Sequence, residues 1–179
     1  MLLIMFVCYL RPSELLRLRV QDLVHPTLTK KWHGLLLHPQ EDGQPSKTGI
    51  YDDGVSMDNV YAPWLGKWVE QWLQRKRPTD LMFGIKYEQL RLLFVDVMKR
   101  LGLADPSMYR LRHGGASEDA ARKVRSIAAI KKRVRWRCDA SLSRYEKHVR
   151  LQWSENHSKP EAPSRAALIS INLRRLFGN

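Results

Sequence analysis

Three cationic side chains and one phenol, far apart along the chain, have the chemical types that phosphodiester cleavage needs. The cations are Arg11, Lys47 and Arg112, and the phenol is Tyr145. A phosphodiester repels nucleophiles because its oxygens are anionic. Arginine counters this best, since its planar fork binds two oxygens and keeps its charge. We therefore expect Arg11 and Arg112 to clamp a phosphate and to stabilise its transition state.

Tyr145 and Lys47 supply the two remaining roles in such a reaction. A tyrosine phenol has an ordinary pKa of about 10, so it needs neighbouring cations to react at neutral pH. Attack by Tyr145 would form a phosphotyrosine ester that conserves the energy of the broken bond. The Lys47 ammonium could give a proton to the departing oxygen. Singly these are ordinary surface or helix residues, and only their joint occurrence carries the prediction.

The charge of the chain points to a polyanionic partner. Its 179 residues carry a formal net charge of +13, which favours nucleic acid. Residues 1–98 hold 12 Lys and Arg against 11 Asp and Glu, whereas residues 99–179 hold 19 against 7. The basic face should therefore lie in the C-terminal half, although a solubilising surface is the alternative. The predicted DNA contacts are Arg110, Arg133, Arg135, Arg137 and Arg144.

Other hydrolytic and metal-dependent chemistries lack their sequence motifs. The chain has no Gly-x-Ser-x-Gly, no Gly-x-x-x-x-Gly-Lys and no His-Glu-x-x-His. His25, His33 and His38 lie close together, but their spacings and the lack of partner cysteines argue against zinc. No acidic cluster suggests a two-metal nuclease. We therefore expect no metal and no cofactor.

The pattern of apolar residues predicts a fold that is mainly α with a small antiparallel β-sheet, an α+β class. Strands are expected at residues 32–38, 47–51 and 55–57, with residues 52–54 as the turn between the last two. Trp64, Trp68 and Trp72 recur every four residues, which favours core packing over base stacking. Helices are expected at residues 1–10, from Pro12 onwards, and at 60–74, 87–101, 107–122, 127–130, 139–148 and 166–177.

The order of the candidate residues resembles the catalytic domain of tyrosine recombinases, also called phage-type integrases. The family pattern is Arg-x-x-Glu, a hairpin lysine, a His-x-x-Arg box, a His or Trp, and a Tyr nine residues later. The resemblance covers residues 1–150 and implies that family's catalytic fold. The matching positions are Arg11 with Glu14, Lys47, Tyr109-x-x-Arg112, Trp136 and Tyr145.

The resemblance implies a function and roles for these residues. The function is DNA strand cleavage and rejoining in site-specific recombination or DNA integration, through a 3′-phosphotyrosine intermediate. Tyr109 and Trp136 stand in the catalytic set where the family commonly has histidine, and an indole N–H can still donate to a phosphate. Glu14 would support the first arginine, and His113 is a common companion of the second. The phosphotyrosine stores the energy for rejoining, so no cofactor is implied.

The predicted domain organisation follows from the same resemblance. Residues 1–150 would form the catalytic domain, N-terminally truncated because family members carry a helical DNA-binding domain before it. Residues 151–179 would form a polar linker and a C-terminal helix. The expected partner is double-stranded DNA, bound by a homo-oligomer. No membrane is expected, since the apolar run at residues 1–10 falls short of the about 20 residues that a span needs.

Two other functions stay open, and the cellular location depends on the source. The sequence Arg-Trp-x-x-Asp-Ala-Ser-x-x-x-Tyr, ending at Tyr145, resembles eukaryotic mobile-element recombinases. That resemblance implies the nucleus, whereas a prokaryotic source implies the cytoplasm or nucleoid. One alternative function is a catalytically inactive DNA-binding remnant of such a recombinase. The other is a basic helical protein that scaffolds RNA or protein.

Overall fold

A computed structural model describes residues 1–43, 52–102 and 107–136. This part of the chain is rich in helix and contains one small antiparallel sheet, so the predicted α+β class is confirmed. The strands are β1 (Leu23–Val24), β2 (Gly34–Leu37) and β3 (Asp53–Ser56). The helices are α1 (Leu2–Val7), α2 (Pro12–Arg17), α3 (Leu65–Leu73), α4 (Tyr87–Arg100), α5 (Tyr109–Ala121) and α6 (Ile127–Val134), with short 3₁₀ turns at Val20–Asp22 and Gln40–Asp42.

The sheet has the order β1-β2-β3, with β2 antiparallel to both neighbours. Leu35 in the centre of β2 lies opposite Leu23 on one side and Val55 on the other. These three side chains are buried, as is Leu37 two residues along β2. Because alternate residues of a strand share a face, this row forms the inner face of the sheet and packs into the main core.

The prediction of a turn at residues 52–54 is wrong. Asp53 and Gly54 belong to β3 and lie opposite Leu37 and Leu36. Val55 is buried opposite Leu35, so the ladder extends past it and the chain must already be extended at Asp53. The reversal between β2 and β3 therefore falls between residues 38 and 52. The strand predicted at 47–51 lies outside the described residues.

The helices predicted within the described residues are present, with boundaries set by local chemistry. The helices predicted at residues 139–148 and 166–177 lie outside the described residues. α2 begins at Pro12, which is tolerated in a first turn because its missing N–H has no partner there. α3 begins at Leu65 rather than at residue 60, since Pro63 disfavours helix for the residue before it. α1 ends at Val7, and Tyr9 takes a left-handed φ of 52°. Gly102 (φ 69°) follows α4 as predicted.

The close packing of α1 against α5 determines where the candidate site forms. A Cβ on Gly115 would lie 2.0 Å from the Phe6 carbonyl oxygen, so only glycine allows this approach. Tyr9 packs with Ala116 and Ala120 of α5 in a small cluster. Arg112 lies three residues before Gly115, on the same face of α5. The chain reversal at Tyr9 is thereby held against Arg112.

The tryptophan stripe on α3 behaves largely as core packing. Trp64 and Trp68 are partly buried against the main core. Trp72 is more exposed, with its ring stacked on Trp68 at 6.3 Å and on Phe83 at 5.3 Å between centroids. Core packing therefore explains Trp64 and Trp68, whereas Trp72 lies at the surface of the helix. Among the described residues, no helix combines the length and apolar character that crossing a membrane requires.

Candidate functional site

The carboxylate of Glu14 contacts three arginines, one from its own segment and two from distant parts of the chain. Arg11 donates from Nη1 to Glu14 Oε1 at 2.6 Å. Arg112, 98 residues away on α5, donates from Nη1 to Oε2 at 3.4 Å. Arg135, 121 residues away at the end of α6, donates from Nη2 to Oε2 at 2.7 Å. The two arginines predicted to act together thus meet at one acid, which is the glutamate of the Arg-x-x-Glu motif.

Local structure explains how Glu14 reaches this position. It is the third residue of α2, and its Oε2 also accepts the backbone N–H of Arg11 at 2.7 Å. That contact satisfies one of the amide groups that a helix N-terminus leaves unpaired. With only 2% of the Glu14 side chain exposed, the carboxylate is held by its own helix and by the arginines. Its burial requires the positive partners that it has.

Arg112 is enclosed by the protein. Its side chain is fully buried, and Nη1 donates to the Tyr9 carbonyl at 2.7 Å. Nη2 donates to the Val134 carbonyl. Both acceptors lie where a helix ends, so their carbonyls lack intrahelical partners. Arg112 therefore ties the ends of α1 and α6 to α5, and it uses both terminal nitrogens of its fork to do so.

Burial and charge shift the protonation equilibria inside this cluster. Burial, then repulsion by Arg135, lowers the pKa of Arg112 to about 10, with Glu14 opposing the shift. Burial by itself raises the pKa of Glu14, but Arg135, the Arg11 amide, Arg112 and the Arg11 guanidinium together hold it below its usual range. At neutral pH the cluster thus carries three positive charges against two negative ones, on Glu14 and on Asp53 beside Arg135. The surplus is suited to an anionic ligand.

The three arginines differ in their access to solvent. Exposed side-chain fractions are 17% for Arg11, 7% for Arg135 and 0% for Arg112. Arg135 also places Nε 3.4 Å from Asp53 Oδ2 on β3. It takes a left-handed φ of 59° directly after α6, which turns the chain back towards Glu14. Arg11 is therefore the cation of the cluster that an external anion would meet first.

An aromatic run lies beside the arginines. The His113 ring is 4.7 Å from the Tyr109 ring and 5.4 Å from the Trp136 ring, centroid to centroid. Since His113 follows Arg112 and Trp136 follows Arg135, this run adjoins the Glu14 cluster. The structure thereby brings together the candidates Tyr109, Arg112, His113 and Trp136. Lys47 and Tyr145, together with Arg137 and Arg144, lie outside the described residues.

The other predicted DNA contacts differ in exposure. Arg110 is exposed on α5. Arg133 points inward, where Nη2 donates to the carbonyls of Val7 at 3.0 Å and Ser56 at 2.6 Å. Arg135 forms an ion pair with Glu14. In this arrangement Arg133 and Arg135 hold α6 against the rest of the molecule, and their contact with DNA stays a prediction.

Sequence reasoning missed a second buried ionic network beside the first. The Tyr9 hydroxyl donates to Asp119, and Arg125 Nε lies 2.9 Å from the same carboxylate. Burial, followed by the hydrogen bond to Asp119, raises the pKa of Tyr9. Arg125 also reaches Asp58 Oδ1 at 2.8 Å. The available signal was the spacing Arg112, Gly115, Asp119, which places both charges on the buried face of α5.

A cleft of about 370 Å³ opens beside Glu14, between α2 and β2. Arg17 and Arg19 line it together with Asp22 and Asp42. These charges are of both signs, so the cleft does not form a continuous basic groove. An extended polyanion would therefore be held better by Arg11 than by the walls of the cleft.

No family model matches the chain, and no curated protein matches it.

Proposed function

We propose that this chain is the catalytic part of a DNA breaking and rejoining enzyme of the tyrosine recombinase kind. The observation that carries the proposal is the meeting of Arg11 and Arg112 at Glu14. These arginines lie about 100 residues apart, and the order of the candidate residues singles out both of them. His113 and Trp136 directly follow Arg112 and Arg135 in the sequence, and their rings lie 5.4 Å apart. The recombinase pattern expects Trp136 to contact the phosphate.

In the proposed reaction the arginines hold the scissile phosphate and Tyr145 attacks its phosphorus. The Tyr145 phenol loses its proton to water, and a bond forms between its oxygen and phosphorus while the bond from phosphorus to the 5′ oxygen breaks. The 5′ oxygen leaves with a proton from Lys47, and the DNA stays attached through a 3′-phosphotyrosine. Attack by the 5′ hydroxyl of another strand reverses these steps. The arginines act by neutralising charge that grows on the phosphate oxygens.

The enclosure of Arg112 favours a second candidate function. Both of its terminal nitrogens bond to backbone carbonyls, and its side chain is fully buried. A phosphate can reach Arg112 only if the contacts to Tyr9 and Val134 open. A remnant that binds DNA through exposed cations such as Arg110 and no longer cleaves it needs no such opening. The second candidate is therefore an inactive DNA-binding protein derived from a recombinase.

Covalent trapping on nicked duplex libraries separates the two candidates. A nick near the cleavage site lets the short product diffuse away, so a protein–DNA adduct survives denaturation. We expect an adduct with the wild-type chain and with Tyr87→Phe, an exposed tyrosine on α4, but not with Tyr145→Phe. An adduct with Tyr145→Phe would place the nucleophile elsewhere. Salt-dependent DNA binding without any adduct would support the inactive remnant.

A pair of arginine variants on α2 tests the phosphate clamp itself. Arg11→Lys keeps the charge but loses the planar fork, so we expect adduct formation to fall by about a hundredfold. Arg17→Lys, on the exposed side of the same helix, should leave it unchanged. If neither variant loses adduct formation, α2 contributes only general positive charge. Double-stranded DNA bound by a homo-oligomer, and a nuclear location if the source is eukaryotic, belong to the same proposal.

A further inference from the structure

Two histidines face each other at the loop end of the β1–β2 hairpin. His25 follows β1 directly and His33 precedes β2. Val24 lies opposite Gly34, so extending this antiparallel register by one residue places His25 opposite His33. Directly opposed residues in an antiparallel pair have neighbouring side chains. The two rings accordingly lie 5.9 Å apart between centroids.

Helix α3 completes the group with a carboxylate. Glu70 Oε1 lies 2.9 Å from His25 Nδ1, and Glu70 Oε2 lies 3.0 Å from His33 Nε2. A Cβ on Gly66 would lie 2.6 Å from His33 Nδ1, so the glycine lets α3 approach the hairpin. Glu70 is four residues after Gly66 and hence on the same face of the helix. Close packing at Gly66 thus directs the Glu70 carboxylate at both histidines.

We propose that His25, His33 and Glu70 bind one divalent transition-metal ion, and that Zn²⁺ fits the site best. The three donor atoms all lie within 4.8 Å of one another. A tetrahedral zinc with bonds of about 2.0–2.2 Å to nitrogen and oxygen separates its donors by about 3.3–3.5 Å. The donors, which are at most 4.8 Å apart, therefore need to change their separations by no more than about 1.5 Å. Two imidazoles and one carboxylate are a common zinc donor set that leaves a fourth position open.

The exposure of the three side chains suits an ion that enters from solvent. The His33 side chain is 11% exposed, so its ring is held in place by packing. Glu70 and His25 are 37% and 62% exposed, which leaves a path to the open position. Zn²⁺ would replace the protons now shared between the carboxylate and the rings. It would join the hairpin and α3, which the present structure links through hydrogen bonds.

This inference is independent of the proposed DNA chemistry, with which it shares no residue. It also departs from the expectation drawn from histidine spacing alone. That expectation considered His25, His33 and His38 as a set, whereas the structure replaces His38 with Glu70, 37 residues beyond His33. The hairpin register and the contact at Gly66 create this grouping.

Metal titration of the full chain tests the site. The protein is stripped with a chelator and titrated with Zn²⁺ by calorimetry, and separately with Co²⁺, whose visible absorption reports tetrahedral coordination. We expect the wild type to bind one ion that Glu70→Gln and His25→Ala bind at least about tenfold more weakly, since even indirect ligand partners contribute that much. Glu70→Gln keeps the shape and hydrogen-bonding capacity of the side chain, so its fold is preserved.

A third histidine provides the matched control. His38 has a left-handed φ of 55°, a conformation that asparagine tolerates. His38→Asn should therefore bind Zn²⁺ like the wild type. The proposal is overturned if Glu70→Gln binds Zn²⁺ as tightly as the wild type, or if His38→Asn loses as much affinity as His25→Ala. Neither result depends on whether the chain cleaves DNA.

Discussion

Glu14 and Glu70 each contact nitrogen-bearing side chains from distant parts of the chain, yet they form different kinds of centre. Glu14 is 2% exposed and is surrounded by three arginines, whose charge persists at all ordinary pH values. Glu70 is 37% exposed and faces two histidines, whose imidazole nitrogens are common metal ligands. The first carboxylate is part of the interior, and the second is open to solvent.

This difference shows how burial and the type of partner together determine what a carboxylate can do. A buried acid among arginines cannot lose its charge without leaving several cations uncompensated, so it holds structure together. An exposed acid beside imidazoles can release its partners to a metal at little cost, because every donor is still reachable by water. Three substitution or titration experiments test this contrast, ordered by expected effect.

Glu14→Gln should destabilise the chain most. It removes the only carboxylate that contacts both Arg11 and Arg112 among the described residues. Removing one partner of a buried ion pair costs about 3–5 kcal/mol, because the remaining charges stay buried without compensation. Urea unfolding measures the loss. Glu88→Gln, whose acid pairs with Arg91 on the exposed surface of α4, should change stability by no more than about 0.5 kcal/mol. Equal losses in both variants would contradict the contrast.

The contribution of Glu14 should disappear on acidification. The pKa of Glu14 lies below its ordinary value of 4.5 in the folded chain. A lowered folded pKa means that the stabilisation is fully present above pH 4.5 and is lost as the pH falls through the folded pKa. The stability difference between wild type and Glu14→Gln should thus be constant from pH 7 to about 5 and shrink below that. A difference that instead declines between pH 7 and 6 would implicate histidine.

Glu70→Gln should have the smallest effect when no metal is present. Partly exposed pairs contribute at most about 1 kcal/mol, and glutamine can keep hydrogen bonds to His25 and His33. Thermal unfolding of the chelator-treated wild type and variant measures the difference, and added Zn²⁺ should stabilise only the wild type. A large loss in the metal-free state would show that Glu70 is a structural acid like Glu14. That outcome would remove the contrast between the two centres.

The predictions from sequence succeeded where a short pattern carries the information. The period of α4 and the proline at the start of α2 were visible as local signals, and the structure contains both elements. The prediction of a turn at residues 52–54 was wrong because Asp and Gly form turns only where they are not paired with a neighbouring strand. Here Leu36 and Leu37 pair with these residues instead. Sheet pairing overrides local turn preference because it buries a row of side chains.

The residues of the candidate site likewise divide into those that a sequence pattern predicts and those that only tertiary packing brings together. The motif Arg-x-x-Glu could be predicted to join Arg11 to Glu14, since a helix N-terminus brings these positions together. The ordered pattern also predicted that Arg112 lies near Arg11, whereas the contact of Arg112 with Glu14 was not predicted. Arg135 was predicted as a DNA contact, and its position at Glu14 depends on a left-handed turn after α6. Asp119 and Glu70 were not predicted as site residues, because no nearby sequence pattern indicates which distant side chains they contact.

By itself, the sequence determined the helix-rich α+β composition, the basic C-terminal half and the order of residues that suggests phosphodiester chemistry. The tertiary structure decided which charges are buried and which carboxylate each cationic side chain contacts. It did so through contacts that leave little sequence trace, such as the approach of α5 to Phe6 at Gly115 and of α3 to His33 at Gly66. Periodicity and charge are properties of neighbours along the chain. Pairing between residues 98 or 121 positions apart depends on how whole elements pack.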